Sequence, residues 1–437
     1  MSESKTISML YGQSGLELVV PAATVVLKGD HIPALPDPVA AVKEALAHPI
    51  GSLPLCELLA ARKPKTVAIT ISDITRPVPN KVFLPPILEC LNSCGIEDSH
   101  IVIIIGTGMH RPSTAAEREQ LVGWEILDRV RVIDHRADEP QTLVKISDEP
   151  PVSICRQFVE ADFRIVTGYI EAHFMAGFSG GRKGVCPALV DLQTIQRFHG
   201  YKTLSNPAAD TGRLEDNPCH AIAVQVARAV GVDFLFNVAI SQDRRMAGVY
   251  CGDLEAAHEK GCKQVAEWTT ARVDQPFDLV ITNGGGYPLD QTFYQTVKGM
   301  CTALPALAEH STLLQVSQCA EQLGSAAYTQ MMLQYDNDWV RFLADIKAAQ
   351  NETRLDQWEY QMQVRVLSRI GRKNLWFVSD GIPQEVQQHI SVTPILGLGN
   401  AQSRAQNAIN QYIVSHPGAR IAAIPDGPYT LLCGTQG

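Results

Sequence analysis

The chain has 437 residues, 45% of them hydrophobic and 19% charged, with 46 acidic against 37 basic side chains and a formal charge of −9. At roughly 150 residues per domain the length implies two or three domains, and the composition excludes disorder as the main state. So acidic a balance gives no bulk attraction to nucleic acid or an anionic membrane, while a local basic pocket for a small anion stays open. The first eight residues lack a basic segment followed by an apolar core, so no secretory signal is expected. The longest apolar runs, 19–27 and 101–105, fall far short of the roughly 20 residues a membrane helix needs. The 11 cysteines form no CxxC pair, Cys90 and Cys94 being the nearest spacing. An odd, scattered set reads as reduced thiols of a cytoplasmic protein, most of them buried as small hydrophobes.

In chain order, short apolar runs at 66–71, 101–105, 163–167, 234–240, 278–282, 312–316 and 374–378 predict strands. Most are apolar without alternation, as strands covered on both faces should be. Helical patterns fall between them at 85–94, 114–121, 289–300 and 401–415. The second is opened by Thr114 and Glu117 in capping-box spacing. The alternation predicts an α/β protein with largely parallel sheets and helices on both faces. The stretch 267–276 precedes a fresh strand and reads as a domain hinge. The final helix and strand, 401–424, fit either domain.

Parallel sheets present ligands beyond the carboxyl ends of their strands, so the residues that follow each strand matter most. They are Ser72-Asp73-Ile74-Thr75-Arg76-Pro77 after the first and Gly106-Thr107-Gly108-Met109-His110-Arg111-Pro112 after the second. Gly168 to His173 follow the third, leading to Ser179-Gly180-Gly181-Arg182-Lys183-Gly184, and Asn283 to Pro288 follow the strand at 278–282. Polar and ionisable groups therefore follow four strands in one structural position.

An isolated Asp73/Arg76 pair is ordinarily a loop salt bridge, but the Thr75 hydroxyl, the loop amides and the fork of Arg76 suit a phosphate equally well. His110 and His173 on sister loops offer two groups that take or give protons near neutral pH. The Gly-rich turn at 179–184 lacks the GxxxxGK[ST] spacing of a nucleotide-binding P-loop. Its glycines are expected to let backbone approach a ligand. Lys183 is then a nucleophile or an anion partner, with Arg182 lowering its pKa if both face the same way. His199, in Arg197-Phe198-His199-Gly200, has no second His or Cys at ligand spacing, which argues against a protein-only zinc site. Tyr294, Gln295 and Lys298 can share one helical face suited to a carboxylate, although a plain amphipathic helix explains that face as well. Trp358 reads first as a packing residue.

The motifs SDITRPVP (72–79), GTGMHRP (106–112), EAHFMAGFSGGRKGVCP (171–187), RFHG (197–200) and YQTVKG (294–299) together resemble the lactate racemase family. Its members use a nickel-pincer nucleotide, Ni(II)-pyridinium-3,5-bisthiocarboxylic acid mononucleotide. The likeness runs from Ser72 to about Trp358. It implies two domains with the active site in the cleft between them: 1–272, rejoined by 401–437, for the cofactor, and 273–400 contributing substrate-binding residues. Asp73, Ile74, Thr75 and Arg76 then match the segment holding the nucleotide, Lys183 the lysine attached covalently to it, and His199 the protein ligand to nickel. His110 and His173 match the acid/base pair, and Arg76, Tyr294, Gln295, Lys298 and Trp358 the substrate-binding positions.

The implied activity is racemisation of a 2-hydroxy acid, with lactate first, by hydride transfer through a 2-keto acid. Cofactor biosynthesis enzymes would be partners for loading. A racemase or epimerase of malate, an aryl-lactate or a sugar acid is the alternative, and a non-catalytic nucleotide-binding protein is another. NAD-dependent dehydrogenation is disfavoured because no GxGxxG opens a helix after the first strand. Sequence leaves the oligomeric state open.

Overall fold

The computed structural model describes residues 3–434, which divide into two compact units. The first comprises His31–His199 and Ala208–Trp268; the second takes the described residues up to Asp30, Gly200–Pro207 and those from Thr269 onward.

The first unit is built on a six-stranded sheet ordered Met246–Gly252, Phe234–Ile240, Phe163–Tyr169, Val67–Ser72, Ile101–Gly106, Arg131–Asp134. All neighbours are parallel except the antiparallel edge strand Met246–Gly252. Apart from Thr70, 67–71 and 101–105 are all Ile, Val and Ala, which matches their burial because helices leave neither face to water. One face, carrying Val67, Ile69, Ile71, Ile101, Ile103 and Ile105, packs on Val42, Leu55, Leu59, Leu84, Ile87, Leu88 and Leu91 from three helices. The opposite face receives the single-turn helix Gly181–Gly184 against Val166 and Thr70. Counted along the chain the order is 3-2-1-4-5-6, with its reversal between Val67–Ser72 and Phe163–Tyr169. At such a reversal the loops leave in opposite directions and open a crevice.

The second unit has its own six-stranded, all-parallel sheet, ordered Thr393–Pro394, Leu375–Val378, Leu307–Val316, Phe277–Asn283, Ile421–Ala423, Val25–Val26. The domain boundaries expected from sequence need correction here. Residues 401–434 do not rejoin the first unit, because Ile421–Ala423 pairs in register with Leu279–Ile281 and Leu431–Gly434 pairs with Thr270–Val273. Helix Ala401–Ser415 lays Ala401, Ala405, Ile409 and Tyr412 on the same core. Residues 3–30 also belong to this unit: the hairpin Ser4–Met9 with Leu16–Pro21 closes that core, and Val25–Val26 extends its sheet.

The capping box at Thr114 forms as read. Two helices differ from expectation. The helix placed at 85–94 begins earlier, at Asn80, with Pro85 and Pro86 inside it. The helix placed at 289–300 is a short turn, Leu289–Gln291, followed by Phe293–Thr302. Thr292 adopts extended backbone between them and caps the second helix by accepting from the Gln295 amide. Instead of a hinge loop, 267–276 holds the end of a helix and the strand Thr270–Val273, with the units parting between Trp268 and Thr269.

Candidate active site

The reversal in the first sheet is where the ionisable loops meet. Asp73 leaves the end of Val67–Ser72 and folds back, its Oδ1 accepting from the Thr75 amide at 3.2 Å and the Thr75 hydroxyl at 2.5 Å. Its Oδ2 lies 2.6 Å from Nδ1 of His110, which arrives from the next strand through Gly106-Thr107-Gly108. Burial works to raise the Asp73 carboxyl. Hydrogen bonds from His110 and Thr75 and the charge of Arg76 outweigh it and hold the group below the usual carboxylate range. A carboxylate that accepts from Nδ1–H leaves Nε2 of His110 as the lone-pair nitrogen.

Arg76 sets its Nε 3.6 Å from Glu171, the residue that also accepts from the Tyr169 hydroxyl. Its guanidinium also donates to the Thr75 hydroxyl at 3.2 Å, so Asp73, Thr75, Arg76 and Glu171 form one linked set across the crevice. Ile74 is half-buried and packs on the apolar core below it.

His173 is buried at 8% exposure in the small hairpin Ala172–His173 with Gly177–Phe178. The amides of Met175 and Ala176 both point at its Nδ1 from 3.3 Å, which makes that nitrogen an acceptor and puts the ring proton on Nε2. Nε2 faces the Lys183 amine at 3.0 Å. Phe198 lies beneath that amine, 5.6 Å from ring centroid to Nζ.

His199 caps the helix Leu192–Phe198 and donates Nδ1–H to the Ile195 carbonyl at 2.9 Å, which leaves Nε2 as the lone-pair nitrogen suited to a metal. Burial, reinforced by the nearby charges of Lys183 and His110, pushes its pKa down to about 3. The imidazole is therefore neutral at physiological pH, as metal ligation requires. The donor set fits the group that the resemblance implies: one oriented neutral imidazole, one lysine amine within the same cluster, and a loop of hydroxyl, amides and arginine for a phosphate.

Two expectations about the Gly-rich turn are corrected. Its glycines let the turn approach protein rather than ligand. A Cβ at Gly181 would lie 2.5 Å from the His258 ring, one at Gly184 2.5 Å from Val166, and one at Gly180 2.6 Å from Asn237. Nor does Arg182 face the Lys183 amine. Its guanidinium is fully buried, donating to the Ala176 carbonyl at 2.6 Å and lying 3.0 Å from His258 Nε2.

The other expected residues lie on the second unit. Tyr294, Gln295 and Lys298 occupy helix Phe293–Thr302, as their spacing required. Lys298 is buried at 9% exposure, and the buried Gln295 Oε1 has no hydrogen-bond partner among the described residues. The indole N–H of Trp358 donates to the Tyr294 hydroxyl at 2.6 Å, which holds that ring in place. Burial pushes the Tyr294 phenol well above its ordinary range, so it stays protonated. The fourth strand-end loop does not resemble the other three: Asn283 ties it to the loop after Ile421–Ala423, donating to the Ile424 and Pro425 carbonyls, and accepts from the Gly285 amide.

Sequence reasoning missed Glu171 and gave Asp73 only a binding role. Both stood in the quoted motifs, but the pairings 73–110 and 76–171 depend on which strands are neighbours.

The family models for the lactate racemase N-terminal and C-terminal domains match residues 11–212 and 273–431. A lactate racemase of Thermoanaerobacterium thermosaccharolyticum is 33% identical over 389 residues, 88% of each chain. The chain belongs to the lactate racemase family. It is accordingly a racemase, an isomerase by reaction class. A lactate racemase of Lactiplantibacillus plantarum is 34% identical over 389 residues, covering 88% of this chain and 89% of that one. The solved lactate racemase apoprotein from T. thermosaccharolyticum superposes with a TM-score of 0.88 at 31% identity, over 98% of this chain and all of the other. A Thermotoga maritima protein shares the fold alone, with a TM-score of 0.67 at 17% identity over 91% of this chain and 99% of that one. Among the described residues no helix is long and apolar enough to cross a membrane.

Proposed function

We propose that this racemase interconverts D- and L-lactate, using a nickel-pincer nucleotide carried on Lys183 with His199 as its protein ligand to nickel. The reading is supported above all by the convergence at one sheet reversal of a carboxylate-oriented histidine, a second histidine against a lysine amine, and a third whose Nε2 keeps its lone pair. Simple nucleotide binding needs no such acid/base pair.

The Asp73 to Arg76 segment suits the phosphate side of the nucleotide. When bound, the cofactor supplies an acceptor and donor of hydride at the substrate carbon. The chain's own residues then handle only the hydroxyl proton, which histidine can move, and not the C–H proton, which is far too weakly acidic for it. His110, held by Asp73, takes the hydroxyl proton from one enantiomer through Nε2. His173 serves the other by giving the proton its Nε2 carries and, in the reverse direction, taking it back, because the two hydroxyls point in different directions when the carboxylate stays fixed. Arg76 and Lys298 supply the cationic charge that fixes it, and the keto acid turns about that pivot. Gln295 offers its unmet Oε1 to a substrate hydroxyl, and Tyr294, braced by Trp358, bounds a small substrate.

The test is to produce the chain alongside cofactor biosynthesis enzymes, then combine intact mass measurement with chiral chromatography of lactate. The expected result is an adduct on Lys183, absent in Lys183→Ala, and racemisation only by protein that carries it. Full racemisation by unmodified protein would overturn the proposal.

A further inference from the structure

Three thiols converge at the far end of the first unit. Cys56 lies on helix Leu55–Arg62, Cys90 in the last turn of helix Asn80–Ser93, and Cys94 caps that helix. Helix Asn80–Ser93 begins shortly after the Asp73 to Arg76 loop and spans about 21 Å at 1.5 Å per residue. Its cysteine end is therefore remote from the chemistry described above. The Cys56 and Cys90 sulfurs are 3.1 Å apart, and all three sulfurs lie within 4.8 Å of one another. Cys56 is exposed and the other two are half-buried, so the cluster is open to water on one side.

We propose that Cys56, Cys90 and Cys94 form a second metal site, for a thiophilic d10 cation of the zinc type, with water in the fourth position. Tetrahedral zinc with sulfur ligands at about 2.3 Å sets sulfur–sulfur edges of about 3.8 Å, so the observed spacing needs only small rotamer changes. Cys90 and Cys94 are four residues apart and share a helix face, while Cys56 enters from the adjoining helix. The two helices are fixed by the apolar contacts of Leu55, Leu59, Leu88 and Leu91 in the core below, so the site is preformed.

The electrostatics favour a cation over a redox pair. Cys90 and Cys94 stand at a helix C-terminus, where the backbone dipole attracts positive charge and opposes a bare thiolate. A soft cation displaces the thiol protons into solvent and gives three converging sulfurs one common partner. A Cys56–Cys90 disulfide would use only two of them.

The full chain, produced without cofactor and kept reduced, is titrated with Co2+ as a spectroscopic stand-in and then with Zn2+. The expected result is thiolate-to-cobalt charge-transfer absorption with tetrahedral d–d bands, saturating near about one ion per chain and erased by Zn2+. Cys56→Ser, an exposed change, should abolish the sulfur bands, and so should Cys90→Ser. Both variants should keep the far-UV circular dichroism of the parent and, once loaded with cofactor, its racemase rate. Absence of the sulfur bands in the parent would overturn the proposal, as would their persistence in a Cys56→Ser/Cys90→Ser/Cys94→Ser variant. A Cys56–Cys90 disulfide that forms in air while Zn2+ is present would overturn it as well.

Discussion

The two units share one architecture and use it differently. Each is a largely parallel sheet in which two inner neighbours come from distant parts of the chain, and loops leave the carboxyl ends there. In the first unit that crevice collects Asp73, Arg76, His110, Glu171 and His173, groups whose contacts are with one another and with Lys183. In the second, fully buried Asn283 fills the corresponding place and bonds the loop after Phe277–Asn283 to the loop after Ile421–Ala423. There the residues matched to substrate binding, Tyr294, Gln295 and Lys298, stand instead on helix Phe293–Thr302. A sheet reversal supplies a crevice, and the residues within it decide whether it becomes a site or a structural joint. The comparison predicts that first-unit changes act on kcat, helix changes in the second unit act on KM, and changes at its reversal act on stability.

The largest effects belong to the two histidines. His110→Ala and His173→Ala should each lower kcat by about 10³-fold, within the range of general acid–base catalysis, with circular dichroism and cofactor loading unchanged. A near-normal rate in either would break the two-histidine scheme. Asp73→Asn comes next, at about 10²-fold in kcat with KM little changed, because it removes the partner that sets the His110 tautomer. The same variant has a pH signature. The folded Asp73 pKa is depressed, so its stabilising contribution is present above the unfolded carboxylate range and disappears as pH falls through the folded value. Acid unfolding of the variant should therefore show a shallower pH dependence than the parent.

Lys298→Ala should act mainly on KM and reduce kcat/KM by about tenfold to a hundredfold, the loss of a charged hydrogen bond. If it left KM untouched, the division of labour between the units would fail. The smallest effect on activity is expected at the joint. Asn283→Ala should cost about 2–3 kcal/mol in denaturant unfolding by orphaning buried carbonyls and an amide. Racemisation per folded molecule should stay at the parent level.

The strands and the loops that follow them were legible in the sequence because unbroken Ile/Val runs and Gly-bounded polar motifs are local signals. Strand order was not. It placed His110 against Asp73 and Arg76 beside Glu171, pairings made by residues 37 and 95 positions apart in the chain. The return of 401–434 to the second unit escaped for the same reason: helix periodicity names an apolar face but not the sheet that covers it. The Gly180 to Gly184 turn was misread because its glycines answer to His258, Asn237 and Val166, all distant in sequence.

The account rests on histidines that move only the hydroxyl proton, and one isotope measurement reaches that claim directly. Loaded protein is given L-lactate carrying deuterium at C2 in ordinary water, and the D-lactate formed is examined by mass spectrometry. Retention of the deuterium at C2 is the predicted result. Its replacement by solvent hydrogen at each turnover would contradict the account, because a base would then have to remove the carbon-bound proton itself.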